Sequence, residues 1–161
     1  MGVNELSTLL WRERELLELL MFKLDEEQLL LTSGKSKWLP FATREVEQVL
    51  ARLRKSGIER TVEASAVAVE WGIGDEATLR ELAEHAPSDA WRDILSSHLT
   101  ALTSLTHQIA SVRDTNLQYL RAATRATQET LAGMSTDRGG YDGHGATATV
   151  SASAHLFDRQ I

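Results

Sequence analysis

The sequence predicts an all-α fold: an elongated antiparallel bundle of three long helices plus one short helix, with a flexible C-terminal tail. Three observations carry that expectation. Aromatic residues make up only 6% of the chain, whereas sheets favour aromatic and β-branched side chains. Two prolines, Pro40 and Pro87, stand in 161 residues, so long stretches are free to run as unbroken helix. Apolar residues recur at steps of three and four over most of the length, the period of an amphipathic helix. The length suits one modest domain, and 42% hydrophobic residues supply its core. A helical domain is expected over residues 1–133 and a Ser/Thr/Ala/Gly-rich tail over 134–161.

The first helix is expected over about residues 4–31. Leu6, Leu10, Leu17, Leu20, Leu24 and Leu31 form its stripe, and Leu9, Leu16 and Phe22 broaden it. Arg12, Arg14, Glu15 and Glu18 occupy the opposite face. Gly34 can take the left-handed conformation that stops the helix, and Pro40 suits the first turn of the next. The second helix runs from Phe41 toward Trp71 along Val46, Leu50, Leu53, Gly57, Arg60, Ala64 and Val67. Its middle is weak, because glycine costs up to about 1 kcal/mol relative to alanine and Arg60 brings a charge. A bend or a change of partner is expected there.

Gly72-Ile73-Gly74 ends the second helix, and Asp75 reads as the N-cap of a short helix over about 76–85, with Leu79 and Leu82 inward. Ser88 can cap the third long helix. From Trp91 that helix keeps strict four- and three-residue steps through Leu95, His98, Leu102, Leu105, Ile109, Val112, Asn116, Tyr119, Ala123, Ala126 and Thr130, a heptad seam. After Leu120 the seam shrinks to Ala and Thr, with Leu131 the last large apolar residue before Gly133. So little apolar area, at about 25 cal/mol per Å², predicts a distal end that frays or receives a partner. Beyond it the tail is too polar to offset its ordering entropy, yet it carries Leu156, Phe157 and Ile161.

Charge and residue content narrow the function classes. A net charge of −6, with basic residues interspersed among acids, disfavours a nucleic-acid partner. No cysteine is present, which removes disulfides, thiolate nucleophiles and zinc–thiolate sites. Charged residues from Glu5 to Glu15 break up the first apolar positions, and no stretch approaches the roughly 20 apolar residues of a membrane span. A cytosolic chain without membrane insertion is expected. Glu81 and His85 share a helix face, but a di-iron bundle needs repeated Glu-x-x-His motifs, and HExxH is absent. Gly72-Ile73-Gly74 and the glycines from Gly139 to Gly145 lack the strand and the Lys-Ser/Thr of a phosphate loop. The residues therefore predict no enzyme, no metal and no cofactor.

Most of the seam residues read as intramolecular core. The functional reading attaches to the distal stretch from Asn116 to Leu131. Asn116 has two readings, a register-setting polar residue or a hydrogen-bonding group facing a ligand chain. Tyr119 beside it suits a protein interface, and His98, if buried on the seam, requires a hydrogen-bond partner.

The ordered pattern resembles the FlgN-type flagellar export chaperones. The resemblance is carried by the leucine-rich first helix, Lys37-Trp38-Leu39, the stretch from Ala42 to Leu50, Arg60, Ala77-Thr78-Leu79-Arg80-Glu81-Leu82, the long helix with Asn116, and Tyr141-Asp142-Gly143-His144-Gly145. It covers about residues 4–145. It implies a type III secretion chaperone that holds hook-associated (hook–filament junction) proteins in the bacterial cytoplasm and delivers them to the flagellar export gate. By position it implies client binding at Asn116, Tyr119, Leu120, Ala123 and Leu131, and a gate contact at Tyr141. The longer tail departs from the family pattern, so Leu156, Phe157 and Ile161 inherit no role. The rival readings are a helical coiled-coil adaptor with no flagellar role and a metal-dependent helical enzyme. A heptad seam also suits a homodimer.

Overall fold

The computed structural model describes residues 2–137. They form an all-helical bundle: α1 (Val3–Thr32), a 3-10 turn (Ser36–Trp38), α2 (Leu39–Glu70), α3 (Leu79–Glu84) and α4 (Asp89–Asp137). Among the described residues there is no strand. The chain divides into two compact units, Met1–Leu120 and Arg121–Ile161. The described part of the second is the end of α4, which continues through Gly133 to Asp137.

Local chemistry fixes the helix ends. At the end of α1, Gly34 takes φ of 70°. Its N–H donates to the Leu31 carbonyl at 3.5 Å, and the Lys35 N–H donates to Leu30 at 3.1 Å. These two bonds are a Schellman stop, in which a left-handed residue lets orphan carbonyls find donors. The end of α2 repeats it: Gly72 has φ of 73°, and the Ile73 N–H donates to the Ala68 carbonyl at 2.9 Å. Ile73 then packs on the core cluster that contains Ala68. Pro40 stands in the first turn of α2.

The short helix departs from the sequence reading. It begins at Leu79 rather than Glu76, and its N-cap is Thr78, not Asp75. The Glu81 N–H donates to Thr78 Oγ1 at 3.3 Å, and the Thr78 N–H donates to Glu81 Oε2 at 2.7 Å. This reciprocal capping box satisfies two orphan donors, where Asp75 alone would satisfy one. At α4 the Trp91 N–H donates to Ser88 Oγ at 3.3 Å, so Ser88 caps as expected.

Cross-helix contacts define the topology of the first unit. Glu27 with Thr43, Lys23 with Glu45, and Glu13 with Arg60 pair descending with ascending numbers, so α1 and α2 are antiparallel. Ser7 with His98, and Leu24 with Asn116, ascend together, so α4 runs parallel to α1. Two apolar clusters result. One joins Leu6, Leu10, Val67, Ala68, Leu82, Ala83 and Leu95, with α3 closing it. The other holds Leu20, Leu24, Val46 and Val49, against which Ile109 and Val112 pack.

Between the clusters lies the weak middle of α2. The helix is continuous through Gly57, and it packs on one cluster before that point and on the other after it. Arg60 Nε lies 2.6 Å from Glu13 Oε2, which gives the charge a partner where the seam needed an apolar residue. On α1, Leu16 is buried in place of Leu17, and Phe22 is exposed with the Lys23 ammonium over its ring.

Candidate binding surface

The seam of α4 has two characters. In the first unit, Leu95, His98, Leu105 and Asn116 are buried, and Leu102, Ile109 and Val112 pack against the two clusters. This stretch is core. His98 is enclosed with its Nε2 sharing a hydrogen bond with the Ser7 hydroxyl at 3.3 Å. Its ring meets Trp11 edge-on at 5.1 Å between centroids, and the Arg14 guanidinium lies over the other ring of the pair, Trp11, at 4.2 Å. Burial lowers the imidazole pKa below its usual 6.5, and the nearby Arg14 charge lowers it further, so the ring stays neutral.

Asn116 is 2% exposed. Its Nδ2 donates to the Leu24 carbonyl at 2.9 Å and to Glu27 Oε2 at 3.2 Å. Glu27 is itself buried and accepts from the Thr43 hydroxyl at 2.9 Å. A polar chain thus links α4, α1 and α2, and it fixes their register because a slip would strand a buried carboxylate. Of the two readings of Asn116, this is the geometry of a register-setting residue. Glu27 and Thr43 were not singled out in the sequence, although Glu27 falls three residues after Leu24 at the next seam position.

Tyr119 is exposed and Leu120 half-buried at the close of the first unit. In the second unit every residue from 121 to 136 is exposed. Ala123, Ala126, Thr130 and Leu131 nonetheless keep helical spacing, and Met134 adds a large side chain three residues after Leu131. The Thr127 and Thr130 hydroxyls donate to the carbonyls of Ala123 and Ala126, at 3.0 and 2.8 Å, so their methyls are left to line the surface. Arg121, Arg125 and Gln128 fall on the opposite side of the helix. Met134 was missed because Gly133 reads as a helix end. Tyr141, Leu156, Phe157 and Ile161 lie outside the described residues.

A second apolar opening sits at the α1–α2 turn, a cleft of about 330 Å³ lined by Leu29, Leu30, Trp38 and Phe41 with Glu26 and Glu45 at its rim. Lys23 Nζ reaches both carboxylates at 2.8 Å, and those hydrogen bonds raise its pKa. Its shape depends on how the 3-10 turn folds Trp38 toward Phe41, at 5.8 Å between rings, which no periodicity encodes.

The distal helix face is an exposed stripe of apolar and small side chains along residues 121–136. Among the described residues no group of three or more His, Asp or Glu is placed to hold a metal, and no helix is long and apolar enough to cross a membrane. A family model described as FlgN protein matches residues 1–149. The chain belongs to the FlgN family. No curated protein and no solved structure matches it. FlgN proteins are flagellar export chaperones, a family not known for catalysis, so the chain is a chaperone of flagellum biogenesis.

Proposed function

We propose that this FlgN protein acts in the cytoplasm, holding hook-associated proteins before type III export through the exposed face of its second unit. The observation that carries the reading is the run 121–136, exposed throughout while bearing a helical stripe with Leu131 and Met134, each 62% exposed. Clients with amphipathic terminal helices dock on such a face by side chains at helical spacing. Alanines and threonines along the stripe allow close approach. Tyr119 and Leu120 are proposed as contacts in their own right, Asn116 as a positioning residue behind them, and Tyr141 as a contact for the export gate. Binding by mass action would withhold the client's apolar surface from premature assembly.

The test is capture of hook-associated proteins from a flagellated cell at low salt. The intact chain retains them, and the double variant Leu131→Glu, Met134→Glu loses about 3 kcal/mol of binding, roughly a hundredfold. Full retention by the double variant excludes this face, and no capture by the intact chain excludes the client class.

A further inference from the structure

Helix α2 is apolar on its outer side as well as toward the core. Val46, Val49 and Val67 face inward, whereas Ile58, Val62 and Val69 are 68%, 64% and 62% exposed. The outer residues belong to a sustained heptad seam, Ala51, Lys55, Ile58, Val62, Ser65 and Val69, whose steps alternate four and three. Nothing in the core demands this second seam. In heptad notation Val62 and Val69 fall at a and Ile58 at d, with Lys55 at a further a position, where a lone polar residue specifies register and oligomer state.

The flanking charges select the occupant. Glu47 and Arg54 take the g positions, Arg52 and Glu59 the e positions. In a parallel pair each g residue faces the e residue five positions later on the other helix. Glu47 therefore meets Arg52 of a second copy, and Arg54 meets Glu59 of a second copy. Both contacts are attractive, and the two-fold axis makes each twice. The antiparallel alignment that sets Ile58 across from Val62 places Glu59 against its own copy, a like-charge contact. Glu59 pairs within the first unit with Arg12 at 3.6 Å and Lys55 at 4.0 Å, both well exposed; such pairs are weak and re-form readily.

We infer that α2 carries a self-association face, on which a second copy of this chain lays its own α2 in parallel. The apolar part, Ile58 to Val69, spans about 16 Å at about 1.5 Å per residue, short of what a tight dimer uses. Lys55 at an a position weakens it further while setting register. The chain is accordingly a monomer at low micromolar concentration and dimerises reversibly as concentration rises. This face is built from residues other than those proposed for the client, so its test stands or falls independently of client binding.

Sedimentation equilibrium of the full chain over a concentration series tests it, with circular dichroism to verify helix content of each variant. The unaltered chain shows a monomer–dimer equilibrium, Val62→Glu weakens it at least tenfold, and Arg54→Glu or Glu59→Arg alone weakens it. The double exchange Arg54→Glu, Glu59→Arg restores it. With no native cysteine, Val69→Cys cross-links to itself under oxidation if the helices are parallel. A chain monomeric at every concentration overturns the proposal, as does unchanged association of Val62→Glu or failure of the exchange to restore pairing. Loss of hook-associated protein capture in Val62→Glu with self-association intact also overturns it, assigning the stripe to the client.

Discussion

His98 sits on the α4 seam where a leucine would fit, enclosed against Ser7 and Trp11. Because burial first, and Arg14 second, push its pKa below 6.5, the folded chain holds the ring neutral while the unfolded chain takes up a proton near pH 6.5. The unfolded state then binds more protons as pH falls, so stability falls with it. The contribution is complete above pH 6.5 and is lost as pH drops toward the folded-state value. Urea midpoints measured at pH 7.5, 6.5 and 5.5 should decline for the unaltered chain and decline less for His98→Gln. The capping carboxylate of Glu81 does not confuse the window, since the Thr78 hydrogen bonds lower its pKa from 4.5 and its loss begins only below that. Equal slopes for the two chains would place the pH dependence elsewhere. The seam position of His98 was readable from spacing, but its partner was not: Ser7 stands on a different helix, and pairing across helices has no local sequence signal.

At the scale of elements, the glycines separate by backbone conformation. Gly72 stops α2 at φ of 73°, where an added Cβ is strained by about 1–2 kcal/mol. Gly57 lies inside the same helix with nothing within 4 Å of an added Cβ. Gly72→Ala should therefore destabilise by about 1 kcal/mol, and Gly57→Ala should stabilise by roughly 0.5–1 kcal/mol, both read from chemical denaturation. A stabilising Gly72→Ala would contradict the Schellman stop. The helices themselves were legible because leucine periodicity and Gly34 and Gly72 stops are local. The start of α3 was misread although Thr78-x-x-Glu81 spells a capping box, because Asp75 after a glycine competes for the same role. Burial of Leu16 over Leu17, and the exposure of Phe22, depend on helix rotation within the bundle. That rotation is set by packing partners and not by the stripe, which is broad enough to allow either.

At the scale of the whole molecule, both apolar clusters and every buried residue among the described ones lie at or before Asn116. The two clusters of the first unit are thus built from its own residues. Of the described residues whose burial is given, truncation after Leu120 removes positions that are all exposed in α4, and exposed substitutions away from packing usually shift stability by less than about 0.5 kcal/mol. The truncated chain should keep the helical dichroism of the first unit's helices and its urea midpoint within that margin. It should also lose hook-associated protein capture, because the stripe with Ala123, Leu131 and Met134 is gone. A cut that also removes Asn116 would instead take from the buried Glu27 carboxylate its donor at 3.2 Å, leaving it the Thr43 hydroxyl, at a cost of about 1–3 kcal/mol, and would mix a folding defect with a binding defect. Global unfolding of the chain ending at Leu120 would make the distal helix part of the core. Retained capture would move the client surface into the first unit, where the Trp38–Phe41 cleft is the next apolar opening to test.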